Sequence, residues 1–193
     1  GAGLFFSFTT DPLLPETMEL TAQGVKTCVE NGVNVKVLTK RADFIDNFFG
    51  LLASYGNFDE DQYREHMAFG FTLTGHDELE RGASSNIERI GTMEELHNRG
   101  YRIFASIEPI VDFPSSMQMI NGSLPFCGLY KIGLMSGNGV TYDPVEAQIF
   151  LSELQQLPGQ PKIYLKNSLV RLLGVDRKTL PENFVESNYN MFG

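Results

Sequence analysis

The sequence predicts an α/β fold, a partial (β/α) barrel of about six parallel strands, and three observations carry that prediction. Six short apolar, β-branched runs each stop at a polar or charged cluster: FFSFTTDP, VKVLTK, FGFTLTGHDE, RIFASIEP, YKIGLMSG and KIYLKNS. Their starts recur at intervals of about thirty residues, the length of a strand, a crossover helix and two loops. The runs are nearly continuous in apolar residues, as in parallel sheets covered on both faces. Six units are too few to close an eight-stranded barrel. Polar residues are spread over all six strand ends, whereas a doubly wound sheet would concentrate them at a switch point, so an open, curved sheet fits better.

Strand one, residues 4–9, ends at Thr10, Asp11 and Pro12, and Pro15 suits a first helical turn because its missing N–H is no loss there. Met18, Ala22, Val25 and Val29 then repeat at helical spacing up to Gly32. Strand two, 33–38, precedes a helix burying Phe44, Ile45, Phe48, Phe49 and Leu52. Residues 57–66 are polar and read as a solvated loop or a short surface helix. Strand three, 68–73, leads to a helix opened by a Ser85/Glu88 capping box, with Ile87, Ile90, Met93 and Leu96 as its buried stripe. Strand four, 102–107, stops at Glu108 and Pro109, and a short helix near 115–120 follows. Strand five, 128–134, precedes a helix with Asp143 as N-cap, Pro144 in the first turn, and Val145, Ile149, Leu151 and Leu154 inward. Strand six, 162–165, ends at Lys166, with a short helix at 169–173.

With 193 residues, 42% of them hydrophobic and 20% charged, the chain can bury the core of one domain. We place that domain at residues 1–175, with a polar surface tail over 176–193. A net charge of −9 argues against a sequence-independent grip on phosphate backbones and favours a small-molecule ligand. Cys28 and Cys127 are too far apart in sequence to indicate a disulfide framework or a zinc pair, so a reducing, cytoplasmic setting is expected. No apolar run approaches the roughly 20 residues of a membrane helix. A core strand beginning beside Gly1, with the first methionine at Met18, reads as a cut N-terminus.

Parallel strands present all their carboxyl ends on one rim, which makes the polar clusters there the candidate site. Glu108 and Lys166 are the candidate catalytic groups: a carboxylate at the end of a buried strand is costly unless used or paired, and a lysine in a barrel mouth can be activated by desolvation. Thr10, Asp11, Lys40, Thr72, Thr74 and Ser136 occupy the other strand ends as candidate cofactor-binding groups. His66, His76 and His97 show no metal-ligand spacing.

The TDP after one strand, the LTK ending the next, the ERI opening a helix that ends in RG, and the IEP closing the following strand occur in order over residues 4–140. In that order they resemble the part of radical S-adenosylmethionine enzymes that follows the cysteine loop, particularly the spore photoproduct lyase-like branch. The resemblance implies a partial (β/α)6 barrel with S-adenosylmethionine across the strand ends, Thr10 and Asp11 toward its amino group, Lys40 toward its carboxylate, and Thr72 and Thr74 toward its ribose. It places Glu108 in the barrel mouth and Ser136 and Lys166 on the substrate side. It also implies a [4Fe-4S] cluster on a CxxxCxxC loop and an electron donor. No such loop occurs in this sequence, so the loop is expected upstream of Gly1 and this portion alone is expected to be inactive. Leu13 and Leu14 stand where that branch often has Tyr and Gln, and no clear GxIxGxxE occurs. Two other classes compete: a Schiff-base lyase or aldolase using Lys166 or Lys40, and a non-catalytic barrel that only binds a partner.

Overall fold

The computed structural model describes residues 3–6, 10–137 and 140–193. Its strands are β1 (Leu4–Phe6), β2 (Val35–Thr39), β3 (Met67–Thr72), β4 (Arg102–Ile110), β5 (Leu129–Leu134) and β6 (Lys162–Leu165). They form one sheet in the order β1-β2-β3-β4-β5-β6, every pair parallel, without closing into a barrel. The fold is the expected alternating α/β arrangement, consistent with a partial barrel. Positions 7–9 of the expected first strand lie outside the described residues.

The helices are α1 (Pro15–Glu30), α2 (Ile45–Ser54), α3 (Glu60–His66), α4 (Asn86–Asn98), α5 (Phe113–Ser123), α6 (Pro144–Gln155) and α7 (Asn167–Leu173). Of the two readings for residues 57–66, the helix holds: the Asp59 carboxylate accepts the Asp61 N–H and opens α3. The capping box of α4 is present in both directions between Ser85 and Glu88. Asp143 caps α6, and Asp112 caps α5 by accepting the Ser115 N–H, which starts that helix two residues before the position read from sequence.

Alternation along the strands sorts the sheet into two faces. Val35, Val37, Met67, Phe69, Phe71, Ile103, Ile107, Tyr130, Ile132, Ile163 and Leu165 join the helix side chains in one core. Each such fully buried side chain stabilises the fold by about 1.5–3 kcal/mol. Phe44 of the loop before α2 stacks on Phe69 at a centroid distance of 5.9 Å, tying helix to sheet. The opposite face carries a smaller cluster of Ala68, Phe104 and Leu129, against which Phe5, Leu38, Val185, Tyr189, Met191 and Phe192 pack.

The C-terminal tail lies at the surface, with none of residues 176–193 buried, and its apolar side chains pack half-buried on the sheet. Ile163 and Phe184 form a parallel bridge, with Phe184 against the main core, while Tyr189 and Phe192 turn onto the inner face. Sparse apolar residues at 185, 189, 191 and 192 suffice there, because an open sheet leaves that face uncovered.

Two helical stripes also differ from expectation. Ile87 is 78% exposed, and Asn86, Arg89, Thr92, Met93 and Leu96 form the buried side of α4 instead. Val145 and Ile149 of α6 are exposed, while Ala147 and Phe150 are buried beside Leu151 and Leu154. In both helices a first-turn apolar residue sits one position off the stripe, and the buried polar partners of Arg89 outweigh the hydropathy of Ile87.

Candidate functional site

The strand ends divide into two regions. At the ends of β1, β2 and β3, the candidate residues are committed to one another. Asp11 accepts the Leu13 N–H at 3.0 Å, the Thr39 hydroxyl at 2.8 Å and the Lys40 N–H at 2.7 Å, so its carboxylate fastens the loop after β1 to the end of β2. The Lys40 ammonium lies 2.8 Å from Glu80 Oε1. The Thr74 hydroxyl donates to Glu80 Oε2 at 2.9 Å, and its N–H donates to Asn86 Oδ1 at 3.0 Å.

Behind this cluster stands Arg89, with a fully buried side chain. Its guanidinium donates to the Ser84 carbonyl at 2.8 Å and the Thr72 carbonyl at 2.6 Å, and it meets Glu80 Oε2 at 2.8 Å. Burial alone would raise the Glu80 carboxyl, but hydrogen bonds from Lys40 and Arg89 outweigh it and hold the group below its ordinary value. Sequence reasoning missed Glu80 and Arg89 as a pair, since ERI read only as the opening of a helix. The available signal was an arginine on the face of a helix that otherwise turns inward.

His76 closes the adjacent loop. Its Nδ1 lies 2.7 Å from Glu78 Oε1 and its Nε2 lies 2.6 Å from Asp112 Oδ2. Donation to the Glu78 carboxylate, then to that of Asp112, raises the imidazole above its ordinary value. Thr10 is exposed beside undescribed residues, Thr72 is buried, and Ser136 is exposed beyond β5.

The ends of β4, β5 and β6 are built differently. Register puts Thr72, Ser106, Lys131 and Tyr164 in one row across four strands. One step toward the rim, Glu108 and Lys166 form an ion pair that reaches across β5. Gly133 lies beneath that pair: a Cβ there would sit 2.9 Å from both Glu108 Oε1 and Lys166 Cδ. One row toward the strand starts, the Phe104 ring lies flat over Gly70, where any Cβ would collide with it. Phe5, Leu38, Ser106, Glu108, Lys131, Tyr164, Lys166 and Ser187 line a cavity of about 410 Å³ on this inner face.

Lys131 was not singled out from the sequence, and it is the most perturbed side chain in the cavity. Its Nζ sits 4.9 Å from the ring centroids of both Phe5 and Phe104. Burial, with the nearby charges of Lys36 and Lys166, pushes its ammonium down to about 8. Glu108 and Lys166 are brought together as an ion pair, whereas Asp11, Lys40 and Thr74 belong to a separate, internally paired cluster. Cys28 and Cys127 are free thiols, and burial pushes Cys127 up to about 12. Among the described residues, no group of three His, Cys, Asp or Glu side chains converges on a metal-sized site, and no helix is long and apolar enough to cross a membrane. Comparisons with protein-family models, curated proteins and solved structures return no match.

Proposed function

We propose that this chain is the cofactor- and substrate-binding portion of a radical S-adenosylmethionine enzyme, with its ligands on the inner face toward β4, β5 and β6. The observation that supports this reading is the open parallel sheet with strands in chain order, carrying a polar cavity at its carboxyl ends. Fit to S-adenosylmethionine is uneven along the rim. Asp11 and Lys40, toward the cofactor's amino acid end by resemblance, are already engaged by Thr39 and Glu80. Ser106 and Tyr164 line the cavity and offer hydroxyls for ribose, while Glu108 is engaged by Lys166. When bound, this cofactor supplies homolytic hydrogen-abstraction chemistry. The chain's own residues would orient it, exclude water through Phe5, Leu38 and Phe104, and hold a proton on the Glu108/Lys166 pair.

The Schiff-base alternative would need Lys166 released from the Glu108 carboxylate before its amine could meet a carbonyl. The test of the leading reading is the gene: three clustered cysteines in CxxxCxxC spacing are expected in frame within about a hundred residues upstream, a distance set by one or two further β/α units. An upstream frame without clustered cysteines overturns it.

A further inference from the structure

The inner face carries more cationic charge than it can compensate. Lys36 is only 8% exposed, with its Nζ 5.9 Å from the Phe192 ring centroid. Among the described residues neither Lys36 nor Lys131 has a carboxylate within ion-pair distance. Glu108, the carboxylate in the cavity lining, is taken by Lys166. The charged and titratable groups around Lys131 on this face are Lys36 from β2, Glu108 from β4, Tyr164 and Lys166 from the end of β6, and Tyr189 of the tail, with Arg102 at the start of β4. Arg102 stacks on Phe192 and donates to the carbonyls of Arg64 and Glu65, so it is engaged away from the cavity.

Two aromatic faces do not make up for this. A cation–π contact is worth about 0.5–2 kcal/mol. Withdrawing an ammonium from water costs several kcal/mol even after relaxation. The lowered Lys131 ammonium records the same imbalance, and at about 8 the group is still mostly charged at neutral pH. A dehydrated, unpaired cation on the floor of a cavity, with the Ser106 and Tyr164 positions beside it in register, has the makings of an oxyanion site.

We infer that this cavity binds an anionic small molecule through a carboxylate or phosphate group seated on Lys131. The inference goes beyond the cofactor reading and stands without it, since it needs only the inner face as built. Binding raises the affinity of Lys131 for its proton, because the anion supplies the charge the cavity lacks.

The experiment is calorimetric titration of the whole chain with inorganic phosphate and with acetate, against chloride at matched ionic strength. Saturable binding is expected, weakening about tenfold between about pH 7 and pH 9 as Lys131 deprotonates. Ordinary surface lysines, near about 10.4, stay charged over that range, acetate keeps one charge and phosphate becomes more anionic, so an association with surface lysines would hold or strengthen. Lys131→Met should abolish binding, and Lys131→Arg should retain it at the alkaline end. Tighter phosphate than acetate marks a phosphorylated ligand, and the reverse marks a carboxylate. Affinity that is flat or rising with pH, or no binding beyond chloride, overturns the inference. The wild-type series alone decides it if the substituted chains fail to fold.

Discussion

The two halves of the strand-end rim use similar residues to opposite ends. Around β2 and β3, Asp11, Lys40, Thr74, Glu80 and Arg89 are engaged by hydrogen bonds and opposite charges, with Glu80 Oε1 and Arg89 Nη2 held by ion-pair contact alone. Around β4 to β6, two lysines lie on the inner face without a counter-charge, and one ion pair bridges the cavity edge. A charge-balanced network holds loops in place, because each buried charge meets an opposite one. An unbalanced one marks where a ligand completes the electrostatics. Polar residues at strand ends are therefore not equivalent, and partner counting separates scaffold from site.

The largest effect should come from breaking the closed half. Arg89→Met leaves Glu80 buried beside Lys40 alone and removes donors from the Thr72 and Ser84 carbonyls. A loss of about 3–5 kcal/mol is expected, read as a lower denaturant midpoint. A change under about 1 kcal/mol would show that the network is incidental. Next, Gly70→Ala forces the Phe104 ring off the inner face and should cost about 1–3 kcal/mol while loosening the aromatic bracket around Lys131. Unchanged stability would mean that the ring has somewhere else to go.

The open half should respond in the other direction. Lys131→Met removes a desolvated charge from among like charges, so the melting temperature near neutral pH should rise. The sign follows from linkage: a lysine whose folded value lies below its unfolded one penalises the fold while protonated, and the penalty fades as pH rises from about 8 toward about 10.4. A fall in melting temperature would place Lys131 in the closed class. The smallest effect belongs to His76, whose raised value gives stability fully present below about 6.5 and lost as pH rises through the folded value. His76→Ala should remove that slope from a stability-versus-pH curve, and an unchanged slope would detach His76 from the Asp112 cap.

Much of this fold was legible in the sequence, because strand periodicity, the Ser85/Glu88 box and the Asp143 cap are local signals that the tertiary structure obeys. The site was half legible. Glu108 and Lys166 stood out at strand ends, and their pairing follows once β4 and β6 flank β5. Asp11 and Lys40 stood out equally, but their partners Thr39 and Glu80 come from other segments, and only packing shows that they are committed. Lys36 and Lys131 were passed over as ordinary strand residues. The sign was there: VKV and YKI each place a lysine between apolar neighbours, on the face that the other alternation leaves free. The tail's packing onto the sheet escaped because it depends on an inner face that no linear pattern reveals.

The central claim, that the β4–β6 half holds an uncompensated cation awaiting a ligand, is tested most directly by titrating individual lysines. Amine-reactive labelling of the folded chain across a pH series, read by peptide mass spectrometry, gives the midpoint at each position. The account predicts that Lys131 reacts with a midpoint near 8, shifted upward when phosphate or acetate is present. A midpoint in the ordinary lysine range of about 10.4, indifferent to either anion, would contradict it.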